Sequence, residues 1–208
     1  RHGDRCCNES FYPDMGRAFI AYDAAASEFT HLPIYWIADQ SHRDKYYCGP
    51  LSPEVPPPDD NWLQCAGSIG ELAQRLNLPQ DQLERTVERF NQGAREGKDP
   101  DFHRGETAYD RWSGDPNHEP NPCLAPLEKA PFYGVRIHPG TAGNQGGLVT
   151  NESAQVVNVR GEVIPGLYAT SNTSAHLAVG FGYNSGFSNG QSMVFGYVTA
   201  RHIAGMED

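Results

Sequence analysis

A segment rich in glycine, serine and asparagine, residues 171–190, separates a short apolar strand from an amphipathic helix. The pattern predicts a buried strand over residues 167–170 and a helix over residues 191–204. Four apolar side chains of this helix are expected to face a core, namely Met193, Val194, Tyr197 and Val198. A strand, a glycine-rich loop and a helix N-terminus together form a site for a negatively polarised group. Glycines also simply permit tight turns, and spacing alone leaves both interpretations open.

Composition excludes several classes of protein. The 208 residues include 16 Lys and Arg against 26 Asp and Glu, a net charge of −10, which argues against nucleic acid as a partner. No apolar run approaches the ~20 residues that a transmembrane helix needs. The given sequence does not open with a charged segment followed by an apolar one, so we expect no signal peptide there. Aromatic residues make up 11% of the chain, which argues against disorder.

The cysteine and histidine patterns argue against a metal site and against a disulfide framework. The cysteine count is odd and no C-x-x-C pair occurs, so a reducing cytoplasm is the simplest interpretation. The five are Cys6, Cys7, Cys48, Cys65 and Cys123. The adjacent residues Cys6 and Cys7 are either a redox-active pair or two buried apolar thiols. The eight histidines are dispersed along the chain, so we expect no metal.

The first 130 residues or so read as helices, a strand and long loops. Residues 33–39 are rich in β-formers and predict a strand, followed by a polar segment to residue 47. The spacing of Ser68 and Glu71 matches a capping box that begins a short helix. The clearest helix covers residues 80–96. Its apolar stripe consists of Leu83, Val87, Phe90 and Ala94, and Gly97 supplies its C-terminal stop. Residues 51–60, with four prolines, and residues 99–126 read as loops.

The remainder of the chain reads mainly as strands. Residues 131–138 predict a strand, and another begins at Gly146. Residues 155–160 and 162–164 surround a probable hairpin turn at Arg160-Gly161, and Pro165-Gly166 reads as a further turn.

The chain lacks a dinucleotide-binding fingerprint. Gly180-Phe-Gly182 is the nearest approach to G-x-G-x-x-G, but Ser185 stands where the third glycine is required. The chain therefore has no complete dinucleotide fold of its own. Because it also begins at Arg1 within an apparently ordered turn, we interpret it as a fragment or as one chain of a processed protein.

Several motifs in order along the chain resemble the FAD-dependent 3-ketosteroid dehydrogenases of the fumarate reductase and succinate dehydrogenase flavoprotein superfamily. The motifs are residues 99–111, Asn121-Pro-Cys-Leu-Ala-Pro126, Pro131-Phe-Tyr-Gly-Val-Arg136, Gly146-Gly-Leu148, Ile164-Pro-Gly-Leu-Tyr-Ala169 and Met193-Val-Phe-Gly-Tyr197. Gly3-Asp-Arg5 followed by Asn8-Glu9 resembles the family's G-x-R-F-x-N-E, with Cys6 in place of the usual Phe.

The resemblance covers essentially the whole chain and implies its organisation. We expect an α+β substrate domain over residues 1–143, joined to the C-terminal strands and closing helix of a split Rossmann-like FAD-binding domain over residues 144–208. The family's N-terminal adenosine-binding half would then lie outside this chain, carried by a separate chain.

The resemblance also implies a catalytic base. Asn8-Glu-Ser-Phe-Tyr12 resembles the N-E-x-x-Y of relatives that act at the Δ4(5α) position, which makes Tyr12 the proton acceptor. The 1-dehydrogenases place their tyrosine one residue later, where this chain has Pro13. A free tyrosine has a pKa of about 10, so a base needs hydrogen bonds or positive charge that favour its phenolate. Without the resemblance, a packed amphipathic tyrosine is the plainer interpretation.

The resemblance also implies which groups polarise the ketone of the substrate. Gly182-Tyr-Asn-Ser-Gly186 resembles the G-Y-x-S-G of the Δ4(5α) enzymes, so Tyr183 and Ser185 supply hydroxyls and Gly186 a backbone N–H. The 1-dehydrogenases have their tyrosine at the position of Gly182. The alternative is a glycine-rich turn without a catalytic role.

The resemblance names FAD as the cofactor and assigns seven residues to its isoalloxazine and ribitol groups. They are Gly146, Gly147, Asn172, Phe187, Ser188, Asn189 and Gly190. The N-terminus of the closing helix would point at the pyrimidine ring, where its positive end stabilises reduced, anionic flavin.

The expected substrate is a 3-keto steroid or a similar apolar ketone, desaturated by proton abstraction beside the ketone and hydride transfer to flavin N5. The fumarate reductase branch binds its dicarboxylate substrate with an arginine, and this chain has Tyr183 at that position. A dicarboxylate requires cationic partners, so the sequence argues against that branch. Two alternatives stand beside this. One is a flavoprotein of the same superfamily that acts on another enone or a carboxylate. The other is a non-catalytic fragment that needs its missing N-terminal half.

Overall fold

The computed structural model describes residues 1–56, 62–140, 146–175 and 186–206. The chain divides into two compact units, Arg1–Pro139 and Gly140–Asp208. The boundary predicted between residues 143 and 144 lies outside the described residues. The mixture of helices and strands agrees with the expected α+β class, and the split of a Rossmann-like domain stays a prediction.

The first unit is built on a three-stranded antiparallel sheet. Its elements in chain order are α1 (Tyr12–Ile20), β1 (Tyr22–Asp23), β2 (Glu28–Phe29), β3 (Ile34–Asp39), α2 (Gln40–Lys45), β4 (Gln64–Ala66), α3 (Ile69–Arg75), α4 (Gln80–Glu96), α5 (Ala108–Trp112) and β5 (Phe132–Ile137). The strand order is β3-β5-β4, so the strand that comes last in sequence lies in the centre of the sheet. The short β1 and β2 form a separate two-stranded hairpin.

Helix α3 packs tightly on the central strand. A Cβ placed on Gly134 of β5 would come within 2.7 Å of Leu76 Cδ1, so the absence of a side chain there lets the helix end approach the sheet. Leu72 and Leu76 pack with Phe132 in one buried cluster. Helix α4 extends this core through Leu83 and Val87.

Four elements predicted in this unit are confirmed. They are β3, α3, α4 and β5. Ser68 accepts a hydrogen bond from the backbone N–H of Glu71 over 3.1 Å, as the capping box predicts. Helix α4 has the predicted bounds, and Gly97 ends it in the left-handed conformation with φ of 71°. Because only glycine adopts that conformation at little cost, the helix stops where the sequence indicates.

Three short helices were not predicted. Helix α1 buries Pro13 and Ala18 against the first unit. Helix α2 falls in the segment described above only as polar, and Asp39 caps it by accepting from the backbone N–H of His42. Helix α5 lies within the predicted loop 99–126 and is capped by Thr107. Helices of five to nine residues are marginal by themselves, so their sequences carry little periodic signal.

The second unit consists of β6 (Gln155–Val157), β7 (Val163–Tyr168), a 3-10 turn (Ser171–Thr173) and α6 (Phe187–Ile203). Strands β6 and β7 form the predicted antiparallel hairpin. The prediction of a turn at Pro165-Gly166 followed by a separate buried strand is wrong. Strand β7 runs through both residues, and most of its side chains are exposed. An edge strand tolerates a proline because no partner strand needs its N–H.

Helix α6 departs from the prediction in two ways. It begins at Phe187, four residues before the expected start, so residues 187–190 form its first turn. The expectation that its apolar residues face a core is wrong within this unit. Met193 is 75% exposed, and Val194 and Tyr197 are exposed as well. The described part of this unit has a small core around Ala154 and Val156, and these side chains are not buried in it.

Within the part of the chain that the structure describes, no helix has the length and apolar character needed to cross a membrane. All five cysteines are free thiols.

Candidate functional sites

The predicted base, Tyr12, is the first residue of α1 and its side chain is 48% exposed. Pro13 follows it in the first turn and is buried. Position 13, where the 1-dehydrogenases are expected to carry tyrosine, is therefore a packing position in this chain.

Hydrogen bonds to a distant loop hold the segment before Tyr12. Asn8 donates from Nδ2 to Asp110 Oδ2 over 3.0 Å, and both side chains are buried. The same carboxylate oxygen accepts from the backbone N–H of Gly105. Asn8 Oδ1 in turn accepts from the backbone N–H of Ser10. The Asn-Glu pair of the sequence motif thus fixes the path of the backbone that leads into α1.

A cluster of charged side chains secures the same segment. Arg5 donates to both oxygens of Asp99, at 2.6 and 2.8 Å, and to both oxygens of Glu9, at 2.8 and 2.7 Å. Its guanidinium also lies over the rings of Phe90 and Phe102, 5.1 and 4.9 Å from their centroids. The motif around Arg5 and the motif that begins at Asp99 therefore meet, and their role here is to position the chain.

Arg104 links this charged cluster directly to the turn before Tyr12. Its Nε donates to Ser10 Oγ over 2.9 Å, and its Nη1 lies 3.3 Å from Glu9 Oε2. The backbone N–H of Arg104 donates to Asp99. Both the guanidinium and the amide of Arg104 are thus engaged by neighbouring groups.

Four aromatic rings surround the start of α1. Phe11 meets Tyr109 edge to face with centroids 5.5 Å apart, and its centroid is 6.4 Å from that of Tyr12. Tyr109 lies 6.4 Å from Trp112, which is largely exposed. Aromatic faces and edges of this kind suit a flat apolar ring system.

A cavity of about 1080 Å³ lies within the first unit, and Tyr12 is not among its lining residues. Its polar lining includes His42, Tyr46 and Asp115. Burial lowers the pKa of His42, whose ring packs between Trp36 and Tyr46. Burial raises the pKa of Tyr46 to about 12, and its hydrogen bond to Asp115 acts in the same direction. Sequence reasoning missed this group because its members are scattered along the chain.

In the second unit, the structure brings three of the predicted cofactor-binding segments together. The backbone N–H of Leu148, directly after Gly147, donates to Thr173 O over 2.9 Å. A Cβ on Gly147 would meet the backbone of Ser174 at 2.4 Å, so only glycine allows the two segments to lie this close. Asn172 lies within the same 3-10 turn and is exposed.

Gln191 joins α6 to this turn and was not predicted. Its Nε2 donates to Ser174 Oγ over 2.9 Å, although the side chain is only 7% exposed. Its Oε1 has no hydrogen-bond partner among the described residues. A buried acceptor without a partner indicates a place where a further donor is expected. A lone glutamine in a helix carries no sequence signal for such a role.

The first turn of α6 offers backbone hydrogen-bond donors to a cofactor. Gly186 precedes the helix with φ of 87° and provides no side-chain cap. A Cβ on Gly146, Gly186 or Gly190 would meet no atom of another described residue within 4 Å, so the space beside them is open. Backbone N–H groups at the start of a 17-residue helix attract anionic and polar acceptors. The donor set and the open glycine surface therefore fit a flavin.

The structure leaves part of the predicted site untested. Tyr183 and Ser185 lie outside the described residues. Gly186, Phe187, Ser188, Asn189 and Gly190 lie together at the start of α6, and Gly146 and Gly147 lie on the segment that is hydrogen-bonded to the Asn172 turn. Among the described residues, no three His, Cys, Asp or Glu side chains form a metal-binding group.

Comparison with known proteins places these features among flavoproteins. Residues 16–189 match the family model described as "FAD binding domain". The chain is 40% identical over 208 residues to 4-oxocyclohexanecarboxylate 2-dehydrogenase of Sinomonas cyclohexanicum, which covers 99% of this chain and 36% of that protein. It is 41% identical over 180 residues to 3-oxosteroid 1-dehydrogenase of Mycobacterium tuberculosis (strain ATCC 25618 / H37Rv), which covers 84% of this chain and 32% of that protein.

A solved structure is similar over nearly the whole chain. The match to 3-ketosteroid delta1-dehydrogenase from Sterolibacterium denitrificans, in complex with 1,4-androstadiene-3,17-dione, has a TM-score of 0.86 at 35% identity. It covers 99% of this chain and 38% of that protein. The chain thus spans between 32% and 38% of the length of these three relatives.

Proposed function

Because the chain belongs to the FAD binding domain family, we propose that it forms the substrate-contacting part of an oxidoreductase that desaturates a 3-keto steroid. The family membership confirms FAD as the cofactor that the sequence predicts. The observation that carries the proposal is the meeting of the Gly147 segment, the Asn172 turn and the start of α6 beside open glycine surface.

The first unit would act as the substrate domain and the second as the C-terminal part of the FAD-binding domain. Gly146, Gly147, Asn172 and the first turn of α6 would hold the flavin. The chemistry that bound FAD supplies is a two-electron oxidation of a CH–CH bond. The positive end of α6 would stabilise negative charge on the cofactor by about 0.3–1 kcal/mol, and by more where water is excluded.

In this proposal Tyr12 takes the proton from the carbon beside the ketone. Its backbone is fixed by the contacts of Asn8 with Asp110 and of Ser10 with Arg104. A base must lie within hydrogen-bond reach of the proton it removes, so a rigid approach to α1 favours the reaction. The N–H of Gly186, together with the hydroxyls of Tyr183 and Ser185, would polarise the ketone oxygen. Each donor aimed at the developing enolate contributes roughly 3–4 kcal/mol.

The charges around Tyr12 favour a neutral substrate. Arg104 is engaged by Ser10 and Glu9, and Arg17 by Asp14 at 2.5 Å. Recognition of a carboxylate needs a cationic fork that is not already paired. The rings of Phe11 and Tyr109 instead offer an apolar surface to a flat ring system.

A second candidate substrate is a small cyclic keto acid. It is favoured by the relative from Sinomonas cyclohexanicum, whose similarity extends over 99% of this chain, whereas the Mycobacterium relative covers 84%. Proton abstraction beside a ring ketone is common to both substrates. The two candidates differ in whether a carboxylate must be bound.

Exposed apolar side chains of the second unit support the expectation that a further part of the FAD-binding domain covers it. Val163, Ile164 and Leu167 of β7 and Met193 and Tyr197 of α6 are exposed. Several exposed large apolar side chains in one small unit are typical of a surface that a further part of a protein covers. We infer that the adenosine-binding half expected from the resemblance covers them.

Two measurements test the function. Absorbance of the purified 208-residue chain in the flavin bands, with and without a complementary adenosine-binding chain, shows what FAD binding requires. A colourless protein that turns yellow only with the complement supports the proposed division, and stoichiometric FAD on the chain alone contradicts it. A panel of 3-keto steroids and cyclic keto acids, followed by dye reduction with the FAD-loaded protein, then identifies the substrate. Turnover of keto acids without turnover of any steroid contradicts the leading proposal.

A further inference from the structure

We propose that Cys6, Cys7 and Met15 form a binding site for a soft monovalent cation, copper(I). Cys7 Sγ lies 3.9 Å from Cys6 Sγ and 3.1 Å from Met15 Sδ. Three sulfur atoms thus occupy one small volume. The sequence expectation of no metal rested on the absence of a C-x-x-C pair and on dispersed histidines, and neither pattern concerns methionine sulfur.

The fold brings the three sulfurs together from two elements. Met15 lies in the first half of α1, and the two cysteines lie in the segment that precedes this helix. Asn8, next to Cys7, is anchored to Asp110, and Pro13 and Ala18 bury α1 against the unit. The backbone that carries the three ligands is therefore held before any ion arrives, which reduces the entropy lost on binding.

The site has an access route. Cys6, Cys7 and Met15 all belong to the lining of the 1080 Å³ cavity in the first unit. Cys7 is nearly fully buried, whereas Cys6 and Met15 are half-buried. An ion can therefore reach the sulfurs from the cavity without unfolding of the chain.

The chemistry of the surroundings selects a soft cation. The neighbours of the cysteines include the apolar side chains of Ala18 and Ile34. Hard cations such as Mg²⁺ and Ca²⁺ require several oxygen ligands, which this cluster does not provide. Thiolate and thioether sulfur together favour copper(I) over the divalent ions that prefer imidazole or carboxylate.

The separation of the two cysteine sulfurs suits one edge of a three-coordinate site. Sulfur atoms arranged in a triangle around a metal at about 2.3 Å lie about 4 Å apart. The two cysteine sulfurs already have this separation, at 3.9 Å. Met15 Sδ must withdraw from Cys7 by about 1 Å, which the flexible methionine side chain allows. Binding replaces the two thiol protons, which leave to solvent, and the ion keeps its oxidation state.

The test uses the 208-residue chain under anaerobic, reducing conditions and a chromogenic copper(I) chelator, bicinchoninate, as competitor. We expect the chain to withdraw one copper(I) per molecule from the chelator. Cys7→Ser should weaken binding by at least about 10-fold, the loss typical even of changes outside the ligand set. Met15→Leu keeps the apolar volume and should weaken binding to a similar degree. Cys65→Ser removes a half-buried thiol of another cluster and should leave binding unchanged.

X-ray absorption of the copper-loaded wild-type chain tests the site without any substitution. Three sulfur neighbours at about 2.3 Å support the proposal. No withdrawal of copper(I) from the chelator, coordination by fewer than three sulfurs, or equal losses for Cys65→Ser and Cys7→Ser would each overturn it. An unchanged affinity in Met15→Leu would overturn it too, because the thioether would then not be a ligand.

Discussion

Arg5 donates two hydrogen bonds to the carboxylate of Asp99, a residue 94 positions later in the chain. The Asp99 side chain is 1% exposed, so its charge depends on this partner. The pair joins the segment that leads to Tyr12 to the loop that follows α4. Stability of the first unit and geometry of the proposed base therefore depend on the same contact.

Replacing Arg5 by methionine should strongly destabilise the first unit. The buried carboxylate of Asp99 would lose its main partner, and breaking a buried pair in this way costs about 3–5 kcal/mol. All three tryptophans, Trp36, Trp62 and Trp112, lie in this unit, so denaturant unfolding followed by tryptophan fluorescence measures the change. Arg75→Met is the matched control, because the Arg75–Glu71 pair is half exposed and should contribute at most about 1 kcal/mol. Equal losses in the two variants would contradict the role given to Asp99.

The same pair predicts a dependence of stability on pH. Burial by itself raises the pKa of Asp99, but the hydrogen bonds from Arg5 outweigh it and hold the pKa below the ordinary value of 3.8. Because the folded-state pKa is depressed, the stabilisation is present above pH 4 and is lost as the pH falls through the folded-state value. In Arg5→Met this loss should be absent or reversed, because without Arg5 burial raises the pKa of Asp99 and protonation then removes an unpaired buried charge. The free energy of unfolding, measured from pH 7 to pH 3, would show parallel curves for the two proteins if Asp99 made no such contribution.

Tyr12→Phe should lower kcat of the FAD-loaded protein by roughly 10²–10⁴-fold, because it removes the proposed proton acceptor and keeps the ring. The KM for steroid should change little, since the packing surface is retained. Tyr22→Phe is the control, because this tyrosine is also exposed but pairs with Phe29 in the β1–β2 hairpin. A kcat near that of the wild type in Tyr12→Phe would identify Tyr12 as a packing residue.

Gln191→Leu should weaken FAD binding about 10-fold. The substitution removes the hydrogen bond to Ser174, worth about 1–1.5 kcal/mol, which ties the first turn of α6 to the Asn172 turn. Titration of the chain and its adenosine-binding complement with FAD, followed by quenching of flavin fluorescence, measures the dissociation constant. Gln74→Leu, in which an exposed glutamine of α3 loses its bond to Gln80, should bind FAD like the wild type. Equal affinity in Gln191→Leu and wild type would show that this glutamine does not shape the cofactor site.

The proposed reaction places the new double bond between C4 and C5 of the steroid. The registers of Tyr12 and Tyr183 favour a 4-ene from a 5α-saturated 3-keto steroid, whereas two of the similar proteins are named as 1-dehydrogenases. A shift of one residue moves a hydroxyl by several ångströms, more than proton transfer tolerates. Chromatography of the product against standards separates the two isomers. A 1-ene product would show that the register argument is wrong while leaving the family unchanged.

The sequence predicted those elements whose signal is local. Helix α4 has a long apolar stripe and a glycine stop, and the hairpin at Arg160-Gly161 has its turn residues in place. Helix α1 escaped prediction because it depends on the burial of Pro13 and Ala18 against the rest of the unit. Helix α2 escaped because Asp39, which caps it, is held in place by the distant backbone N–H groups of Glu128 and Lys129. The exposure of β7 and α6 was not predicted. Apolar periodicity indicates which face of an element tends to be buried, but it does not indicate whether the residues that bury it belong to this chain.

For the candidate sites, the residues that the resemblance assigns to flavin lie in segments that the fold brings together, and their binding of flavin stays a prediction. It gave no indication of Gln191, whose importance depends on a contact with Ser174, 17 residues earlier. The roles of Tyr183 and Ser185 rest on the sequence alone.

The central position of β5 has a consequence for synthesis of the protein. Strands β3 and β4 pair with β5 and not with each other, so neither finds its partner until residues 132–137 have left the ribosome. Roughly 90 residues separate β3 from β5, which at about 5–20 residues per second corresponds to a delay of about 5–20 s. During that interval Ile34 and Ile37 are part of an unpaired strand in the nascent chain. Variants that slow translation before β5 should therefore increase aggregation without any change in the stability of the finished protein.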